Sequence, residues 1–233
     1  MASCLRRGLF AGLVAGLLAG VFNLIVGEPL LDRALHHEAA STGAGAEVFS
    51  RAAQKWGLVA ASVLYGAVIG GLFSFVYVLV SQRLRTGSTW ERSLRLAAAA
   101  FAAIWLVPFL KYPTNPPGVG DPATIGLRTS LYLAMVGVSL VAVVGAFVAS
   151  RYLFNRGIDQ PRRQLLVGAG YVALISAAFT LLPGNPDSSS IPASLLWNVR
   201  LVSAAAQALL WGAVGVGFAL LSLRAERREG RTA

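Results

Sequence analysis

The chain has 233 residues, of which 56% are hydrophobic and only 13% charged, with a mean hydropathy of +0.65 and a formal net charge of +10. So apolar a chain, with about half the charged share of a soluble globular domain, excludes a disordered polymer, a disulfide-stapled secreted module and an ordinary cytosolic enzyme, and it leaves a polytopic membrane protein. The positive charge does not mark a nucleic-acid surface, because the basic residues sit in short clusters between apolar runs and not on one polar face; no nucleic-acid partner is expected.

Near the N-terminus the single cysteine, Cys4, stands beside Arg6 and Arg7. It has no second thiol in the chain to bridge to, which fits the reducing, cytoplasmic side of a membrane. The run that follows reads GLFAGLVAGLLAG, with Gly8, Gly12, Gly16 and Gly20 every fourth residue. That spacing puts them on one helix face and lets a second backbone come close. The run is longer than a signal-peptide core and no A-x-A site follows, so the segment is expected to be retained. Gly66, Gly70 and Ser74 repeat the spacing in the second run. Such faces serve packing within one bundle, or contact with a separate small subunit or a second copy.

Between these runs lies Gly-Glu-Pro-Leu-Leu-Asp-Arg-Ala-Leu-His-His-Glu, residues 27–38. Pro29 suits the first position of a helix, with Glu28 beside the positive end of the dipole. Glu28, Asp32 and His36 are four apart and form one helical stripe, with Glu38 close by. A carboxylate–carboxylate–imidazole stripe can hold a divalent cation. The plainer alternative is that Glu28 caps the helix and Asp32 and His36 form a surface pair. Soft copper(I) wants sulfur ligands, and the chain offers only Cys4, Met1 and Met135.

In all, six runs are long and apolar enough to cross a bilayer, at about 8–26, 57–80, 94–110, 129–150, 164–182 and 200–222. Helices satisfy their own backbone hydrogen bonds in lipid, and a run such as 131–148 lacks the alternation of a barrel strand. The expected fold is therefore an all-α integral membrane protein, a bundle of six transmembrane helices forming a single membrane domain over 1–233. The outer loops echo each other. Pro113-Thr114-Asn115-Pro116-Pro117 follows the third run and Pro183-Gly184-Asn185-Pro186-Asp187 the fifth. Each is followed by a further proline and one arginine, Arg128 or Arg200, so runs 3–4 and 5–6 read as two copies of one helix–loop–helix unit, as in transporters with parallel repeats. Proline fixes φ and asparagine closes its own turn, which makes the loops stiff and Asn115 and Asn185 candidates to line an ion route. The chain has no G-x-x-x-x-G-K-[ST], H-E-x-x-H or G-x-S-x-G motif and no mid-span Asp, Glu or His, so neither an enzyme, nor nucleotide hydrolysis, nor a proton relay is expected.

The glycine-rich first run leading into GEPLLDRALHHE, together with KYPTNPPGVG (111–120) and LLPGNPDSSSIPASLLWNVR (181–200), resembles the CbtA-type probable cobalt transporter subunits of bacteria. The likeness covers most of the chain, in three separated places. The matching residues are Gly27, Glu28, Pro29, Asp32 and Glu38, then Lys111, Pro113, Asn115, Pro116 and Pro117, then Pro183, Pro192, Trp197 and Arg200. The resemblance implies a multi-pass protein of the bacterial inner membrane that takes up cobalt, in connection with cobalamin supply, beside a very small CbtB-type partner with one span and a histidine cluster. Cobalt would be cargo, with no cofactor. On this reading Glu28, Asp32, His36 and Glu38 attract the cation and Asn115 and Asn185 line its path. The alternative from another class is a membrane scaffold that assembles partner subunits through its glycine faces; a membrane-embedded enzyme using Asp32 and His36 is a third reading.

Loop charge sets orientation. With the N-terminus inside, fourteen Lys/Arg fall on the cytoplasmic side and six outside (Arg33, Arg51, Lys55, Lys111, Arg128 and Arg200). The positive-inside rule then puts both termini in the cytoplasm. A reporter active only outside the membrane should be silent when fused after Arg228 and active when fused at Thr42 or Ser188. A signal from the Arg228 fusion would replace the even number of spans by an odd one.

Overall fold

A computed structural model describes residues 1–42, 50–81, 87–116, 120–184 and 191–232, with the side chains of 36–42, 122 and 230–232 outside that description. Among the described residues all regular structure is helical. In chain order the α-helices are α1 (Ala2–Phe22), α2 (Glu28–Thr42), α3 (Arg51–Ser81), α4 (Thr89–Phe101), α5 (Val107–Lys111), α6 (Ile125–Asn155), α7 (Gln160–Leu181) and α8 (Ala193–Thr232). A turn of π-helix, Asn23–Gly27, joins α1 to α2, and a second, Ala102–Leu106, joins α4 to α5. Six stretches are long and apolar enough to cross a membrane: Ala2–Leu35, Arg51–Ser81, Thr89–Lys111, Ile125–Asn155, Gln160–Leu181 and Ala193–Glu229. They contain five of the six runs expected from hydropathy and extend beyond them; the fifth span starts before the expected 164–182 and ends one residue short of it, at Leu181. Large apolar side chains such as Leu72, Val141 and Leu165 stay exposed along these helices, as lipid-facing surfaces require.

The helices gather into two compact units. One comprises Met1–Phe101, Asn115–Val119 and Ile191–Ala233, and the other Ala102–Thr114 and Gly120–Ser190. This division cuts across the helix–loop–helix repeat read from the proline-rich loops, since the sixth span packs with the first and with the α4 part of the third. The reason lies in side-chain size. Small residues on α1, α4 and α8 let those helices approach, and loop similarity has no bearing on which faces fit.

The first unit is organised by α1 against α3. A methyl group added at Gly12 would run into the Gly66 carbonyl and sit 2.9 Å from the Gly70 Cα; one added at Gly66 would sit 2.6 Å from the Gly16 Cα. Gly8 meets Gly70 and Ser74 in the same way, and Gly16 and Gly20 meet Ser62. The two glycine faces are thus filled by each other, over three turns of an antiparallel crossing. On its other side α1 receives α8, with Ala11 against Gly217. Phe218 is fully buried and stacks edge-on to Phe73 at 5.3 Å and Tyr77 at 4.8 Å. The start of α4 is closed by a reciprocal capping box: Ser88 Oγ accepts the Glu91 N–H and Glu91 Oε2 accepts the Ser88 N–H, both at 3.3 Å. Next to it the Thr89 hydroxyl donates to Glu226 Oε1 at 2.7 Å, holding the polar end of α8.

Both π turns answer a proline. Pro29 and Pro108 each lie two residues beyond the end of a π turn. A proline inside a helix offers no N–H and its ring collides with the carbonyl four residues earlier. Widening the preceding turn relieves the collision without ending the helix. The α2 start therefore falls where Pro29 predicted a helix to begin, but it is not a free start: the helical path runs unbroken from α1, and the Glu28 N–H bonds back to the Asn23 carbonyl. At Pro108 the freed carbonyl is that of Ile104, and Tyr132 Oη donates to it at 3.4 Å. That bond lies inside the second unit, whose core is Val107, Tyr112, Leu131, Met135 and Ala178, with Trp105 stacked on Phe109 at 4.3 Å.

Leucine at Gly12 or Gly66 must push α1 and α3 apart. Gly12→Leu and Gly66→Leu should each destabilise the folded protein by about 1–3 kcal/mol or more, the usual range for overpacking. Gly137→Leu serves as the control, because nothing lies within 4 Å of a side chain there. Thermal midpoints of the three variants in one detergent check this; a Gly12→Leu midpoint equal to that of Gly137→Leu would dissolve the crossing.

Candidate functional site

The end of the first unit where α2 and α3 meet carries a two-by-two array of charges. Glu28 and Asp32 are one turn apart on α2, and Arg51 and Lys55 are one turn apart on α3. Arg51 Nη2 donates to Glu28 Oε2 at 2.8 Å and also bonds Asp32 Oδ1, while Lys55 Nζ stands 3.8 Å from Asp32 Oδ2. Arg51 Nη1 further donates to Gln54 Oε1 at 2.5 Å. The Glu28 side chain is only 6% exposed, whereas that of Asp32 is 39% exposed. A carboxylate so far from water needs a charged partner, and Arg51 Nη2 bridges both acids while Nη1 is held by Gln54. Two acids and two bases make the array neutral.

Glu28 and Asp32 are brought together on one face, as their spacing required. Their cationic partners were not among the candidate residues, because Arg51 lies 23 and 19 residues away and its pairing depends on how α3 meets α2. Among the described residues no group of three His, Cys, Asp or Glu side chains converges. The side chains of His36 and Glu38, and the whole of Asn185, lie outside the described residues.

Asn115 is half-buried, and its Oδ1 accepts from Arg200 Nη2 at 3.0 Å. The arginine that opens the sixth span is thus tied to the first proline-rich loop. Within the second unit the same loop holds the end of α7. Lys111 Nζ donates to the Phe179 carbonyl at 2.7 Å, one of the last carbonyls of that helix, which have no helical partner and carry the negative end of its dipole. Tyr112 Oη donates to the Pro183 carbonyl, also at 2.7 Å. Tyr112 is buried, and burial pushes its pKa up, so it serves as a neutral donor. Lys111 and Tyr112 are therefore a clamp on the end of α7, made of a cation and a phenol.

Deeper in the first unit, Gln207 of α8 lies beside the Tyr65 hydroxyl of α3. The Gln207 Oε1 atom and the Trp211 Nε1 one turn further on are buried with no hydrogen-bond partner among the described residues. Gln207 was missed in reading the sequence, although an amide in the middle of an apolar run was the signal that could have found it.

A family model described as "Probable cobalt transporter subunit (CbtA)" matches residues 1–222. No match was found among curated proteins or among solved structures. The chain belongs to the CbtA family of probable cobalt transporter subunits.

Removing Arg51 leaves the buried Glu28 carboxylate without its close partner. Arg51→Gln should therefore destabilise the protein by about 1–3 kcal/mol, below the range for a fully buried pair because Arg51 is itself 28% exposed. Adding Glu28→Gln should recover part of that loss. A double-mutant cycle on chemical or thermal unfolding measures the coupling, and additive effects would show that the pair contributes nothing.

Proposed function

We propose that this member of the cobalt transporter family is the membrane subunit of an uptake pathway for cobalt or a related divalent cation, in a bacterial inner membrane with both termini in the cytoplasm. The observation that carries the reading is the charge array: two carboxylates, one of them buried, already gathered around a cation that belongs to the protein. A divalent ion arriving from outside competes with Arg51 and Lys55 for Glu28 and Asp32. His36 and Glu38, further along the same helix, add an imidazole and a third carboxylate, a mixed nitrogen and oxygen set suited to a first-row dication. When the ion leaves, the guanidinium returns, so the buried acid never stands uncompensated.

From there the ion has to cross apolar bundle. Asn115 and Asn185 offer amide oxygens from the proline-rich loops. Gln207 Oε1 offers one about 21 Å further in, the rise of the fourteen helical residues from Arg51 to its neighbour Tyr65. The membrane potential favours inward movement of a dication by roughly 4.6 kcal/mol at about 100 mV, at about 2.3 kcal/mol per charge. That supports a path that needs no nucleotide hydrolysis. A small single-span subunit of the CbtB type is the proposed partner. The scaffold alternative loses its main surface, because the glycine faces of α1 and α3 are filled by each other.

Uptake of radioactive cobalt into cells lacking other cobalt importers tests this. At matched protein levels, Asp32→Asn and Glu28→Gln should raise the cobalt concentration for half-maximal uptake, and Gln207→Leu should lower the maximal rate. Imidazole binds metal only when neutral, and its ordinary pKa is about 6.5. Uptake should therefore weaken as the outside pH falls toward about 5.5, and His36→Ala should flatten that dependence. Unchanged concentration dependence in all the α2 variants would remove the metal role from this helix.

A further inference from the structure

We infer that the hairpin of α6 and α7 holds one anionic phospholipid, its phosphate on Arg156 and Arg163 and an acyl chain in the groove between the two helices. The groove is open, and its lining includes Gly145, Ala146, Ala149 and Leu153 of α6 and Leu166 and Gly170 of α7. It exists because small residues recur on both helices. Among the described residues no atom outside their own helix turns lies within 4 Å of where a side chain at Gly145 or Gly170 would begin, so no other described helix fills it.

Its length fits a lipid leaflet. From Leu153 up to Ala142 is eleven residues of helix, and from Leu166 to Leu174 is eight, which is about 17 and 12 Å. Half of a hydrocarbon core about 30 Å thick is about 15 Å. The groove therefore runs from one membrane surface to near the bilayer centre, as an acyl chain does.

The mouth of the groove selects the headgroup. Arg156 lies one turn beyond Leu153, and Arg163 one turn before Leu166. Arg151 and Arg162 stand nearby, and the one acid of the hairpin, Asp159, is engaged by Arg162 at 3.4 Å. Four arginines against one aspartate leave this end of the hairpin, residues 151–163, at +3. Arg156 lies over the Tyr152 ring, 5.0 Å from its centre, and donates to the Tyr152 hydroxyl at 2.6 Å. Arg163 lies 5.1 Å over the Phe154 ring. Neither pairs with a carboxylate among the described residues. Stacked guanidinium planes keep their remaining N–H groups free in a fork that matches two phosphate oxygens. A net +3 charge favours a lipid with net negative charge over a zwitterionic one. It also disfavours a second parallel copy on this face, whose hairpin would bring the same +3 to the same depth.

The test uses the full chain in detergent, stripped of lipid, titrated with phosphatidylglycerol or with phosphatidylcholine of the same chains. Thermal midpoints are read together with native mass spectrometry for bound lipid and oligomeric state. Phosphatidylglycerol should raise the midpoint and remain bound as a single adduct, and phosphatidylcholine should do neither. The R156Q/R163Q variant should bind phosphatidylglycerol about 30-fold more weakly, the equivalent of about 1 kcal/mol per arginine. The G145L/G170L variant fills the groove and should lose the adduct while keeping its lipid-free midpoint; if it does not fold, R156Q/R163Q alone decides. Water-soluble glycerol phosphate should give no shift, because it lacks the chain. Equal shifts with both lipids, or wild-type affinity in R156Q/R163Q, would overturn the proposal. A wild-type dimer that G145L/G170L breaks would overturn it in favour of a protein interface.

Discussion

The backbone contact between α1 and α3 is the constraint on which the first unit rests. In lipid there is little hydrophobic gain from joining two apolar helices, so association depends on close packing and on the polar groups that packing brings together. Gly8, Gly12 and Gly16 against Gly66 and Gly70 allow that approach over three turns. With the two helices in register there, Glu28 and Asp32 on the continuation of α1 come to face Arg51 and Lys55 at the start of α3. The charge array is thus a consequence of the glycine crossing, set about 20 Å away along the same pair of helices.

The second constraint is that every backbone polar group in a membrane needs a partner. Two prolines break that rule inside spans, at Pro29 and Pro108, and both are accommodated by a π turn immediately before them. At Pro108 the freed carbonyl finds the Tyr132 hydroxyl. The end of α7 has the same need, met by Lys111 and Tyr112 from the loop after the third span. Of the string K-Y-P-T-N, Lys111 and Tyr112 thus act as hydrogen-bond donors to the end of α7. Asn115 is the exception in kind, since it accepts from Arg200.

These arrangements give the proposed transport reading its physical content. A neutral array with a buried acid is a place where one cation can be exchanged for another without leaving charge uncompensated. In the proposed reading the two bases hold the carboxylates until a doubly charged ion, which competes for them better than a singly charged one, displaces them. The lipid-filled hairpin proposed for α6 and α7 belongs to the other unit, and it answers a different need, the covering of a cleft between helices built of small residues.

The sequence by itself determined the class, the spans and the packing faces. Six spans follow from run length against bilayer thickness, and a four-residue glycine spacing leaves one way to place a close contact. Glu28 and Asp32 share a face because a helix turns every 3.6 residues. All of these are local quantities, read within one helix. Which partner each face meets is not local. The glycine face of α1 fits α3 or a foreign helix equally well on paper, and only the tertiary structure chose α3. Arg51 is one of six outer cations by charge counting, and only the meeting of α2 with α3 singles it out. The same holds for Tyr132 at the Ile104 carbonyl and for Lys111 at the end of α7, pairs separated by 28 and 68 residues whose bonds exist because packing brought the two ends together.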